Sequence, residues 1–216
     1  MNCVVTAGPT YEPLDEVRRL TNFSTGTLGS ELANFLVERG HTVALFVGYY
    51  ALFRGEQKAQ RIETFTTTAD LKSRLQALEG SSVQAVFHAA AVSDFMFGKI
   101  RVRGAGGELI ERTEKKITTR HGTLMAELKP TPKIISELRG WFPRARVVGW
   151  KFEVDGDRQA VVAEATKQIA RNRTNACVAN GPAYGKGFGL VTGPGACEHL
   201  ADAPALYESL AALIAK

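Results

Sequence analysis

A chain of 216 residues, 44% of them hydrophobic and 23% charged, is long enough to bury a core of ordinary depth as one domain. No run approaches the roughly 18 to 20 uninterrupted apolar residues that a membrane span requires, and Met1-Asn2-Cys3-Val4 leads into a strand pattern without a basic leader or small-residue cleavage site, so a soluble cytoplasmic protein is expected. A net charge of +5 would suit nucleic acid, but the basic residues are spread along the chain, so the expected partner is a small anion, with neither nucleic acid nor membrane.

Short β-branched runs alternate with longer segments of helical period, the pattern of parallel strands joined by crossover helices. The expected fold class is therefore α/β: a Rossmann-like, doubly wound, mostly parallel sheet with helices on both faces. In chain order the pattern predicts a strand at 3–6, a helix at about 26–39, strands at 42–47 and 61–65, a helix at 69–78 and a strand at 83–88. A helix at 132–141, a strand at 146–150, a helix at 158–171, a strand at 176–179 and a helix at 204–214 follow. Gly40 falls where a left-handed residue closes the first helix, and Asp70 and Asp157 face the positive dipole ends of later ones. Two stretches carry no regular pattern: 8–25, and 95–116 with Gly98, Gly104, Gly106 and Gly107, the latter expected to be a flap that is mobile when empty. Cys3, Cys177 and Cys197 form no CxxC pair and are expected to be buried small hydrophobes.

In open parallel sheets, ligands gather beyond the C-terminal strand ends. After the first strand comes Ala7-Gly8-Pro9-Thr10, and the loop returns through Asn22-Phe23-Ser24-Thr25-Gly26 to a helix start. There, backbone N–H groups, hydroxyls and the helix dipole can meet phosphate oxygens; an ordinary capped helix is the plain alternative. A dinucleotide fingerprint is absent because Gly8 precedes Pro9, and the segment 181–186 has the wrong spacing for a P-loop and reads as a turn. The strand at 83–88 ends in His88-Ala89-Ala90-Ala91-Val92-Ser93-Asp94, whose small side chains admit a ligand and whose Asp94 offers an acceptor or a magnesium-linked carboxylate. His88 itself reads as a packed core histidine. Lys115 and Lys116 can close over a polyphosphate or simply face solvent, and Trp150 and Phe152 either pack on a base or fill the core.

The segments 5–10, 17–29, 90–95, 116–117, 131–134, 149–150 and 178–180 occur in an order that resembles the phosphopantothenoylcysteine synthetase (phosphopantothenate–cysteine ligase) family, most specifically in Asn22-Phe23-Ser24-Thr25-Gly26. The resemblance covers nearly the whole chain and implies one nucleotide-binding ligase domain over 1–216. Many members of that family are fused behind a flavin-dependent decarboxylase, whereas this sequence begins at the first synthetase strand and so resembles the stand-alone form, without flavin. The implied reaction belongs to coenzyme A synthesis. The carboxylate of 4′-phosphopantothenate attacks the α-phosphate of CTP or ATP, pyrophosphate leaves, and the amine of L-cysteine then displaces the nucleoside monophosphate. The resemblance further implies Mg2+ held by the nucleotide phosphates, with Asp94 as a second holder, a homodimer, and a separate phosphopantothenoylcysteine decarboxylase as a further partner.

Matched residue by residue, Asn22 is the amide at the acyl carbonyl and Lys116 the flap lysine that favours nucleotidyl transfer. Arg18 is the candidate for the substrate phosphate, with Ser24, Thr25, Gly26 and Ala91 lining the substrate. Gly8, Thr10, Asp94, Lys116, Pro132, Lys133, Ile134 and Trp150 are the nucleotide candidates. Lys133 departs from the family's usual acidic residue, and Gln168 and Asn172 stand where it often has two lysines. Lys167 and Arg171, which share one helix face, are expected to serve instead. Two alternatives stand beside this reading: an NAD(P)-dependent reductase of extended Rossmann type, which lacks its glycine fingerprint and Tyr-x-x-x-Lys pair, and a non-catalytic nucleotide-binding partner of a decarboxylase.

Overall fold

In a computed structural model, which describes every residue except Ala105, Thr119, His121 and Lys216, the chain begins with β1 (Asn2–Ala7), a hairpin of β2 (Tyr11–Pro13) and β3 (Arg19–Thr21), α1 (Thr27–Glu38), β4 (Thr42–Gly48) and β5 (Arg61–Phe65). It continues through α2 (Thr68–Gln76), β6 (Ala85–His88), β7 (Phe95–Arg103), β8 (Leu109–Arg112), β9 (Leu124–Pro130) and α3 (Ile134–Trp141). The last elements are β10 (Arg146–Phe152), α4 (Arg158–Asn172), β11 (Ala176–Asn180), β12 (Phe188–Gly193), β13 (Ala196–Leu200) and α5 (Ala203–Ala215).

Eight strands form one sheet in the order β13-β12-β11-β10-β6-β1-β4-β5. The run from β11 to β5 is parallel, and β12 and β13 add antiparallel at the far edge. Alternate side chains divide the core. Val5, Leu45, Phe87, Val148 and Val178 meet Leu32 and Leu36 of α1 and Leu206 and Leu210 of α5. On the other face Val4, Phe46, Val86 and Val147 meet Leu71 of α2 and Leu138 of α3, while Cys177, Ala179 and Val191 meet Val161 and Ala165 of α4. Each fully buried leucine or valine contributes about 2 kcal/mol by leaving water. Covering on both faces is why β6 is buried at every position and reads as a continuous run.

Caps close the helices where the sequence placed them. Gly40 is left-handed (φ 80°), and the Gly40 and His41 N–H groups bond back to Val37 and Leu36 carbonyls. The Thr67 hydroxyl accepts from Asp70 N, and Asp157 accepts from Ala160 N.

The region 95–116 corrects the sequence reading. It is largely regular: β8 and β9 pair with β7 on either side in a separate three-stranded antiparallel sheet, and Ala105 lies outside the described residues. The alternation Lys99-Ile100-Arg101-Val102-Arg103 buries Ile100 and Val102 on one side, a period-two signal hidden by the flanking glycines. The β12–β13 hairpin likewise lay unread within a glycine-rich stretch, whereas 181–186 is the expected turn. Cys3 and Cys177 are buried as expected, but Cys197 is exposed on β13. Among the described residues no helix is long and apolar enough to cross a membrane.

Candidate functional site

The chain leaves β1 for β4 on one side and later returns to lay β6 on the other, so the crevice beyond the C-terminal ends of β1 and β6 is the switch point of the sheet. A cleft of about 750 Å3 opens there. One wall is the loop 22–26 and the start of α1; the floor is the segment 88–94; the far wall is the start of α3, the end of β10, Gln168 of α4 and Asn180.

The floor is held by a hydrogen-bonded extension of the sheet. Ala91 N donates to the Gly8 carbonyl (3.0 Å), and the Ala91 carbonyl accepts both Thr10 N (3.2 Å) and the Asn22 amide (3.0 Å). Below, the buried Thr10 hydroxyl accepts from Ser93 N (2.8 Å). The wall is set by glycines. Gly26 is left-handed (φ 75°), and a Cβ there would come within 2.9 Å of the Ala51 methyl, so only glycine lets the chain turn into α1 at this depth. Among the described residues no side chain caps this helix, although the Thr25 hydroxyl approaches Thr27 N at 3.3 Å. First-turn N–H groups therefore face the cleft, an arrangement suited to anionic oxygen.

Lys133, ahead of α3, forms an ion pair with Asp94 across the mouth. Lys151 is the other cation lining the cleft and pairs with Glu153 at 2.7 Å. The Gln168 amide donates to the Trp150 carbonyl (3.2 Å) and its oxygen accepts the Cys177 thiol (2.6 Å), whose pKa burial raises to about 12. Trp150 Nε1 and Asn180 Oδ1 are enclosed without a partner among the described residues, which marks the far wall as built for something more than packing. His88 lines the floor with its Nδ1 against the Thr6 hydroxyl (3.0 Å), and burial holds its pKa down at about 4.

Of the residues singled out in sequence, Asn22, Ser24, Thr25, Gly26, Ala91, Asp94, Lys133, Ile134 and Trp150 come together here. The others do not line this cleft. Gly8 and Thr10 brace the floor from behind, where Thr10 is fully buried, and Pro132 faces solvent. Lys167 and Arg171 are exposed on the outer face of α4, Lys167 paired with Glu164; the neighbouring turn of the helix points Gln168 and Asn172 inward. Arg18 and Lys116 line a second hollow of about 360 Å3 with Val17, Ile117 and Thr118. There the Arg18 guanidinium binds Asp15 and the Ile117 carbonyl (2.8 Å), holding the enclosed Asp15 carboxyl well below the usual carboxylate range.

Sequence reasoning passed over His88 as core, noted Gln168 only as standing where the resemblance has a lysine and Asn180 only within the segment 178–180, and gave no role to Lys151. Their position at or above strand ends was the available signal. Among the described residues no cluster of three or more His, Cys, Asp or Glu could hold a metal. With Asp94 as the one carboxylate lining the cleft, the residues fit a metal that arrives on a polyphosphate better than one held by the protein.

Known proteins resemble this chain in sequence and in fold. The bifunctional coenzyme A biosynthesis protein CoaBC of Thermococcus kodakarensis is 32% identical over 177 residues, covering 82% of this chain and 40% of its own length. The human phosphopantothenate–cysteine ligase is 27% identical over 232 residues, covering 82% of this chain and 71% of its own. The chain thus spans less than half the length of the bifunctional relative. Among solved structures, the DNA/pantothenate metabolism flavoprotein of Streptococcus pneumoniae matches with a TM-score of 0.85 at 26% identity, over 100% of this chain and 98% of that one. By the match of its residues 1–194 to the family profile, the chain belongs to the DNA/pantothenate metabolism flavoprotein C-terminal domain family.

Proposed function

We propose that this protein joins 4′-phosphopantothenate to L-cysteine through an acyl-nucleotide, with CTP or ATP as co-substrate. The observation that carries the reading is the convergence of the Asn22 amide, the uncapped start of α1 and the Asp94–Lys133 pair on one cleft at the switch point. The relatives named for coenzyme A biosynthesis and for phosphopantothenate–cysteine ligation support it.

In this reading the α1 N-terminus and the hydroxyls of Ser24 and Thr25 receive phosphate oxygens. A carboxylate oxygen of the substrate attacks the α-phosphorus and pyrophosphate leaves. The cysteine amine next attacks the acyl carbon, and the nucleoside monophosphate departs with the bonding electrons. Asn22 uses one amide hydrogen on the Ala91 carbonyl, which fixes the side chain and leaves the second to meet the acyl oxygen as charge builds there. Magnesium, carried by the phosphates, neutralises their charge.

Arg18 and Lys116 enter through a second copy of the chain. They lie outside the cleft of their own chain, and the three-stranded sheet bears exposed Phe95, Leu109 and Leu128, which suits pairing of two copies.

Protein supplied with phosphopantothenate, cysteine, Mg2+ and either nucleotide should release pyrophosphate. Asn22→Ala should slow amide formation by roughly a hundredfold while acyl-nucleotide accumulates, as seen by rapid quench and mass spectrometry. No pyrophosphate with either nucleotide would sink the reading.

A further inference from the structure

Thr6 of β1, His88 of β6 and Gly149 of β10 stand side by side in register, so they share one face of the sheet at the cleft floor. The Thr6 oxygen already accepts Ala90 N (3.1 Å) and lies 3.0 Å from His88 Nδ1. Thr6 is completely buried, and its hydroxyl hydrogen has no other acceptor among the described residues. Leaving that hydrogen unpaired would cost the full desolvation of a buried donor, so the hydroxyl donates to Nδ1 and the imidazole proton sits on Nε2.

Nε2 has no partner among the described residues, and it is not among the polar atoms that the protein encloses. His88 is 6% exposed and lines the cleft, so this N–H opens onto the cleft floor. Its surroundings on that face are mostly uncharged: Gly149 has no side chain, the Ile135 methyl lies over it, 2.6 Å from where a Cβ would stand, and the Gln168 amide follows at 3.4 Å, while Lys151, two residues along β10, and Lys133, ahead of α3, are already paired with Glu153 and Asp94. The α1 N-terminus, suited to anionic oxygen, belongs to the opposite face, packed with α5.

We infer that His88 presents its Nε2–H as a fixed, uncharged hydrogen-bond donor to an uncharged acceptor at the nucleoside end of the nucleotide, a base carbonyl, ring nitrogen or ribose hydroxyl. This rests on the nucleotide dependence proposed above. A donor held in one tautomer selects acceptors and rejects donors at that point, which makes His88 a specificity-determining residue. The depressed pKa agrees, because it keeps the ring neutral through the physiological range.

The test is nitrogen-15 NMR of the histidine-labelled full chain, which contains four histidines, titrated with Mg-CTP and Mg-ATP while calorimetry reports binding independently. In free protein the His88 signals should show Nε2 protonated and Nδ1 bare, and the Nε2–H signal should move on nucleotide binding. His88→Met should weaken the bound nucleotide about tenfold, the loss of one neutral hydrogen bond. Thr6→Ser should keep the tautomer and the affinity, and Thr6→Val should lose both in part, which separates the donor from mere packing should His88→Met fold poorly. A proton found on Nδ1, or nucleotide binding that leaves the His88 signals in place, overturns the assignment while the ligase reading stands. Failure of both nucleotides to bind removes the ligase reading and this assignment with it.

Discussion

His88 carries a second consequence that needs no ligand. Burial pushes its pKa from the ordinary 6.5 to about 4, so the unfolded chain takes up a proton that the folded one refuses. Stability is therefore unaffected above about pH 6.5, falls as pH drops toward 4, and levels off below. At about 1.4 kcal/mol per pH unit, the loss reaches ~3 kcal/mol. Urea midpoints measured at pH 7 and pH 4.5 should differ by less in His88→Met than in the parent chain. Equal shifts in both proteins would assign the acid sensitivity to other groups. Asn22 works by the opposite arrangement: it is exposed, and its position is set by the one bond to the Ala91 carbonyl.

At the scale of elements, α1 matters through how closely it approaches β1. A Cβ on Gly29 would lie 2.7 Å from the Ala7 methyl and 3.1 Å from the Thr6 carbonyl, both parts of the central strand that cannot step aside. Gly29→Val should cost about 1–3 kcal/mol by overpacking and should also weaken nucleotide binding, because the helix start is pushed off the cleft. Thermal melts and calorimetry read the two effects; a normal melt would show that α1 has room. Helix α4 makes a contrary case. Its inward face at Val161, Ala165 and Asn172 is buried, and the same face turns Gln168 to the cleft while Lys167 and Arg171 remain outside. Replacing Lys167 and Arg171 together by alanine should leave the nucleotide KM within about twofold, since exposed charges at this distance are screened by salt. A tenfold rise would mean that the outer face of α4 meets the nucleotide after all.

For the whole molecule, the separation of Arg18 and Lys116 from the Asn22 cleft is the feature behind the proposed pairing of two copies. If each site is shared by two copies, Asn22→Ala and Lys116→Ala proteins, each inactive alone, should regain activity when mixed and allowed to exchange subunits. Half of the random dimers then hold one intact site of two, so recovery should reach roughly a quarter of the parent rate. Absence of recovery in a verified mixed dimer would place Lys116 in its own chain's cleft, reached by movement of the segment that carries it.

How much of this was legible in advance follows from how far each signal reaches along the chain. The β-branched runs at 3–6 and 42–47, the helix-closing Gly40 and the capping Asp157 speak through residues a few positions away, so the doubly wound sheet and the location of its crevice could be read directly. Asn22, Asp94 and Trp150 come together because strand order brings strand ends together, while their roles were legible only through the family resemblance. Arg18 was not legible in the same way: its hold on Asp15 is local, but its hold on the Ile117 carbonyl joins distant segments, and the two together keep it outside its own chain's cleft. Likewise a four-residue spacing puts Lys167 and Arg171 on one face, yet only the packing of α4 against β11 and β12 settles that this face looks outward. Periodicity and turn chemistry are properties of neighbours in sequence, whereas the reach of a charge into a cavity depends on partners that folding alone assembles.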